Sequence, residues 1–89
     1  MSEDNFDIDY VQLESGNVPF ISFLDSLNYE ERADILASIE ELKFRLNNKM
    51  NITNKLSKHL KKGIFELRVR HLSKISRSLY FFQIGKMVL

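Results

Sequence analysis

The 89-residue chain has no cysteine, so no disulfide can stiffen it and no thiolate metal site can form. It also lacks a long apolar run, and nothing in it approaches the ~20 apolar residues that a membrane helix requires. Its start, Met-Ser-Glu-Asp-Asn, is polar and acidic with no apolar segment behind it, which is no secretory signal. The expectation is a cytoplasmic protein with no membrane contact. Asn51-Ile52-Thr53 fits the glycosylation pattern, but without export that match is chance. His59 and His71 stand twelve apart with no cysteine near; they make no metal site and read as solvated loop residues. No metal and no other cofactor is expected. No internal repeat or low-complexity segment is visible. A chain this short forms one domain, residues 1–89, of marginal stability.

Charge of one sign is scarce in each half. Before Lys43 there are eleven acids and a single base, Arg32, for a net −10; from Lys43 onward there are twelve bases and a single acid, Glu66, for a net +11. Two readings of this polarity stand. The second half binds a polyanion, or the two halves neutralise each other across their interface.

Phe6 to Leu13 alternates, with Phe6, Ile8 and Tyr10 against Asp7 and Asp9. This predicts a strand whose outward acids discourage edge aggregation. Gly16-Asn17 ends it. Pro19 suits the first turn of a helix, and Phe20, Phe23, Leu24 and Leu27 form one apolar stripe along it. Asn28 is placed to cap a second helix, with Glu31 three residues on. Ile35, Ile39, Leu42 and Leu46 make the stripe of that helix, which Asn47-Asn48 ends. The two stripes are expected to cover one face of a sheet. Asn54 to Lys62 reads equally as a helical turn or as an extended lead-in.

The next stretch carries the strongest pattern. From Ile64 to Arg70, Phe65, Leu67 and Val69 point one way and Glu66, Arg68 and Arg70 the other. Ile75 to Ile84 is rich in aromatic and β-branched residues. The four residues between, His71 to Lys74, suit a hairpin, which lets Arg77 join Arg68 and Arg70 across the strands. Guanidinium is always charged and forks onto phosphate, so arginines clustered on a rigid sheet suit a phosphate-rich partner. Tyr80, Phe81 and Phe82 read as core and edge packing. Gly85-Lys86 is a turn, and Met87-Val88-Leu89 starts a further strand. The fold class is α+β: an N-terminal strand, two helices, then an antiparallel β-meander (β-α-α-β-β-β) with its last strand cut short.

Several segments together carry a family likeness. They are Pro19-Phe20 with Phe23-Leu24-Asp25-Ser26-Leu27, then Arg32-Ala33-Asp34-Ile35-Leu36 with Ile39-Glu40-Glu41-Leu42, and above all the run from Lys55 through Phe65-Glu66-Leu67-Arg68-Val69-Arg70 to Arg77-Ser78-Leu79-Tyr80-Phe81-Phe82. In these the chain resembles the RelE/ParE superfamily of toxins from toxin–antitoxin pairs, in its phage-derived HigB-like branch. The resemblance implies a RelE-like fold, a ribosome-dependent mRNA endonuclease needing no metal, and a cognate antitoxin as partner. It places Arg68 in the active strand, Arg77 facing the scissile phosphate, and Lys55, Lys58, Lys61 and Lys62 on the basic approach for RNA, with Arg70 beside them. Family members continue past the last strand into a segment carrying His, Lys, Thr or Tyr and a terminal helix, whereas this sequence stops at Leu89. That difference leaves active and inactive forms open. It leads to the expectation that Met87, Val88, Leu89 and the sheet edge are exposed, and that the protein self-associates through that edge.

RNA is cut when a 2′-hydroxyl attacks the neighbouring phosphorus, provided the protein positions the ribose, stabilises the added charge and moves protons. Arg68, Arg70 and Arg77 are the candidates for charge stabilisation. Glu66, on the same strand face, is a candidate base, or else a structural ion-pair partner of these arginines. A second function class is a non-catalytic binding module: an antitoxin-binding remnant, or an inhibitor of DNA gyrase, which the same fold also hosts.

Overall fold

A computed structural model describes residues 5–89; the polar start with Glu3 and Asp4 lies outside them. Seven elements follow in order: β1 (Asp7–Asp9), α1 (Pro19–Asp25), α2 (Tyr29–Asn47), β2 (Ser57–Lys61), β3 (Ile64–His71), β4 (Lys74–Gln83) and β5 (Lys86–Val88). The strands form one five-stranded sheet in the order β1-β5-β4-β3-β2. It is mixed, because β1 runs parallel to β5 while the other pairs are antiparallel.

The helices form where the stripes place them. Pro19 opens α1, where its missing N–H costs nothing. Asn28 caps α2, its side-chain oxygen accepting from the Glu31 backbone N–H at 2.8 Å. Arg32, the one base of the first half, reaches back to the end of α1. Its Nε donates to the Leu24 carbonyl and its Nη2 to the Leu27 carbonyl, each at 3.0 Å, a cation placed at and just past the C-terminal end of α1, where positive charge is favoured. The stripes meet the sheet in one core: Phe20 and Leu24 from α1, Ile35, Ile39 and Leu42 from α2, and Leu67, Val69, Tyr80, Met87 and Leu89 beneath them. Phe23, Leu27 and Leu46 pack at its margin.

Three expectations need correction. First, Ser57–Lys61 is a strand, so four strands follow the helices rather than three. It escapes a period-2 reading because it lies at the sheet edge, where only Ser57 of its five residues is buried. Gly63 (φ 79°) and Lys62 (φ 48°) then make the tight turn into β3. Second, β1 covers three residues, not Phe6 to Leu13. Its partner sets that length: beyond Asp9 the pairing continues only through Leu89, whose N–H donates to the Asp9 carbonyl (3.0 Å) and whose carbonyl accepts from Val11 (2.8 Å). Phe6 instead joins α2, with its N–H and carbonyl both bonded to the Asn47 side-chain amide. Third, Met87, Val88 and Leu89 are buried, at 1%, 5% and 6% exposure. They are covered because β5 lies between β1 and β4 rather than at the rim.

Among the described residues, no helix is long and apolar enough to cross a membrane.

Candidate nucleic-acid interface

The β3–β4 hairpin lays out the site. Its register puts Arg68 directly opposite Arg77, Glu66 opposite Leu79 and Arg70 opposite Ile75. Residues opposite each other in a ladder share a face, so the three arginines stand together on the side away from the helices. Leu67, Val69 and Tyr80, on the other side, anchor that face to the core. Tyr80 is fixed further by a buried hydrogen bond between its hydroxyl and Ser57 Oγ, which ties β4 to β2 across β3. Burial pushes the Tyr80 hydroxyl pKa above its usual 10, and the Ser57 bond partly offsets this.

Two guanidiniums facing each other would repel. Glu66 resolves this. Its Oε2 accepts from Arg68 Nε at 2.9 Å and its Oε1 lies 3.5 Å from Arg77 Nε. The carboxylate is nearly enclosed while Arg77 stays more than half exposed. Arg68 Nη1 also donates to the Asn54 carbonyl at 3.1 Å, which fixes the turn before β2 against β3. Glu66 engages both arginines through Nε. Among the described residues, the Nη groups of Arg77 take no partner. On a side chain 57% exposed, they are the pair of donors a phosphate can accept from.

A cleft of about 500 Å³ opens over this arrangement, lined by Lys55, Arg68, Arg70, Ile75 and Arg77. Ile75 is its one apolar lining residue, and every other lining side chain is a cation. Ile75 was missed in the sequence because its neighbours Lys74 and Ser76 carry no pattern that marks it. Of the remaining lysines, Lys58 stands opposite Glu66 on the same face. Lys61 and Lys62 lie at the β2–β3 turn, at the far end of β3 from Arg70, and do not line the cleft. All four lysines are exposed.

The ion pairs bear on both readings of the charge polarity. Of the second-half bases, Lys43 reaches Asp7 (3.3 Å), Arg45 reaches Glu41 (3.9 Å), and Arg68 and Arg77 share Glu66. Among the described residues, Lys55, Lys58, Lys61, Lys62, Arg70, Lys74 and Lys86 make no salt bridge. Among the described residues, neutralisation between the halves is therefore partial: Lys43–Asp7 and Arg45–Glu41 cross between them, while these other cations have no carboxylate partner. The histidines differ from expectation in one respect. His59 is exposed on β2, but His71 is half-buried and its Nδ1 bonds Asp34 Oδ2 at 2.6 Å, pinning the end of β3 to α2. Among the described residues, no three or more His, Asp and Glu come together as a metal site.

A family model described as phage-derived protein Gp49-like matches residues 22–89, which takes in α1 from Ser22 onward, α2 and the whole β2–β5 meander. The chain belongs to the phage-derived Gp49-like family. That family falls within the RelE/toxin-like superfamily. No curated protein and no solved structure matches the chain. The residues of the cationic cleft all fall inside the Gp49-like match, whereas β1 and the first turn of α1 fall outside it.

Proposed function

We propose that this Gp49-like protein is the toxin of a toxin–antitoxin pair and acts in the cytoplasm as a ribosome-dependent mRNA endonuclease of the HigB-like type. One observation carries the reading: Arg68 and Arg77 stand side by side over a shared buried carboxylate, at the head of a cleft whose remaining polar lining is Lys55 and Arg70. Such a surface holds an RNA backbone in a fixed pose. In the reaction the ribose 2′-hydroxyl gives its proton to water and its oxygen bonds to the adjacent phosphorus, the 5′-oxygen leaves with the electron pair and takes up a proton from water, and in between the charge gathers on the non-bridging oxygens. Arg77 offers two unpaired Nη groups to those oxygens, and Arg68 supports them from the neighbouring strand. Lys55, Lys58 and Arg70 steer the flanking phosphates, with Lys61 and Lys62 further along the strand.

Glu66 serves in this scheme chiefly as the group that positions the two arginines, since each of its oxygens already faces a guanidinium. The variant Glu66→Gln separates positioning from proton transfer. A base lost at this site removes the acidic limb of the pH–rate profile, whereas a lost positioning group lowers the rate with the shape of the profile kept.

The deciding experiment incubates purified protein with programmed ribosomes and maps mRNA 5′ ends. Wild-type protein cuts, and Arg77→Ala cuts slower by about 10²-fold or more. Undiminished cutting by Arg68→Ala/Arg77→Ala refutes the assignment. A second reading draws on the same cleft, which is lined by cations and one isoleucine and offers no histidine. It is a binding module of the same fold, an antitoxin-binding or gyrase-inhibiting protein, for which DNA supercoiling responds and mRNA cleavage does not.

A further inference from the structure

β4 has ten residues, yet β5 covers only three of them, Phe81 to Gln83. The geometry of its two turns shows what the rest leaves open. Both hairpins have two-residue loops, so His71–Lys74 and Gln83–Lys86 are the hydrogen-bonded closing pairs. Bonding direction alternates along a strand. The even positions of β4 therefore bond to β3, and the odd positions turn towards β5. Phe81 and Gln83 find it there. Ile75, Arg77 and Leu79 do not, and among the described residues no hydrogen bond reaches the backbone of these three.

Beside this bare edge lies a slot of about 360 Å³ lined by Val11, Pro19, Phe20, Phe23, Leu89 and the edge residues Arg77, Ser78 and Leu79. Val11 and Leu79 are exposed, at 41% and 58%. The slot is in line with β5, where one more strand would lie. We propose that this edge receives an extended segment of a protein partner as an added strand, with acidic side chains alternating with apolar ones.

The alternation follows from the register. Residues of the incoming strand that bond to Ile75, Arg77 and Leu79 share their face, the one bearing Arg77, Arg68 and Arg70. The acid opposite Arg77 meets its charge directly, and acids opposite Ile75 and Leu79 reach it on the diagonal. The residues between them turn to the helix side, towards Phe20 and Phe23 in the slot. Main-chain bonds supply affinity and the alternate pockets supply selectivity. A second copy of this chain fits worse. Antiparallel self-pairing that uses all three residues sets Ile75 against Leu79 and Arg77 against Arg77, which puts like charges directly opposite. The inference does not depend on RNA cleavage and stands or falls separately from it.

The test uses the wild-type protein and a fluorescein-labelled synthetic heptapeptide alternating glutamate and valine. Anisotropy should show saturable binding, and replacing the glutamates by lysines should weaken it on the order of tenfold. At saturation, hydrogen exchange followed by NMR should slow at the Ile75, Arg77 and Leu79 amides. N-methylating the glutamate amides of the peptide should abolish both effects. Arg77→Gln should narrow the gap between the glutamate and lysine peptides. Three results overturn the proposal: binding without slowed exchange at those three amides, equal affinity for both peptides, or slowing that grows with protein concentration alone, which assigns the edge to a second copy.

Discussion

Replacing Glu66 by glutamine isolates the charge of the buried carboxylate while keeping its shape. The side chain is 11% exposed, that of Arg68 29% and that of Arg77 57%. The 2.9 Å bond to Arg68 is charge-assisted and short, in the class that contributes about 1.5–3 kcal/mol. Glutamine keeps one carbonyl oxygen for Arg68, so roughly 1 kcal/mol of that is lost. The contact to Arg77 is longer and its partner largely solvated, which limits its share to ~0–1 kcal/mol. The amide nitrogen of glutamine would then face a guanidinium, donor against donor. Together these give a destabilisation of about 1–2 kcal/mol, or a Tm lower by roughly 5–15 °C for a domain of this size. Urea unfolding should show a lower midpoint with an unchanged slope. The Glu66→Gln and Arg68→Met changes should also be coupled by about 1 kcal/mol in a double-mutant cycle. Strict additivity, or a Tm raised by the glutamine, refutes the reasoning. The second result would mean that desolvating the carboxylate costs more than its partners return.

Tyr80→Phe removes the hydroxyl that meets Ser57 and leaves Ser57 Oγ buried without its partner. We expect a loss of about 1–2 kcal/mol in chemical denaturation, partly recovered by adding Ser57→Ala. Asp7 carries the other resolved shift. The Ile8 backbone N–H and then Lys43 hold its carboxyl below the ordinary 3.8. Its contribution to stability is therefore complete above that ordinary value and is lost as pH falls through the lower folded value. Asp7→Asn should flatten that part of the stability–pH curve, and NMR titration of the wild-type carboxylate should show a midpoint under 3.8.

Local pattern made much of the molecule legible. The Phe65/Leu67/Val69 alternation, the α1 and α2 stripes and the Asn28 cap each follow from residues within one turn or one strand of each other, and each stands in the structure. The juxtaposition of Arg68 and Arg77 was legible for the same reason, since a short hairpin leaves few registers. What stayed hidden depends on distant partners. Nothing in Asp7-Ile8-Asp9 names Lys86-Met87-Val88 as its neighbour, so the parallel pair and the burial of Leu89 could not be read. Lys58 to Lys61 carries one apolar residue, the exposed Leu60, so no alternation separated a strand from a helical turn there. Glu66 offered two roles in the sequence, and the contact of each of its oxygens with an arginine arises only from the fold. The Asn54 carbonyl bond to Arg68 and the fit of Ile75 into the cleft likewise arise from tertiary packing.

The parallel pairing of the first strand with the last has a consequence for biosynthesis. Asp7–Asp9 has no strand to join until Lys86–Val88 has been made. At ordinary translation speeds that interval is about 4–16 s. Throughout it, Met87 and its neighbours are missing from beneath α1 and α2, so the nascent chain carries helices whose apolar sides lack part of their floor. A ribosome-bound nascent chain is thus a ready client for chaperones until its final strand slides between two others.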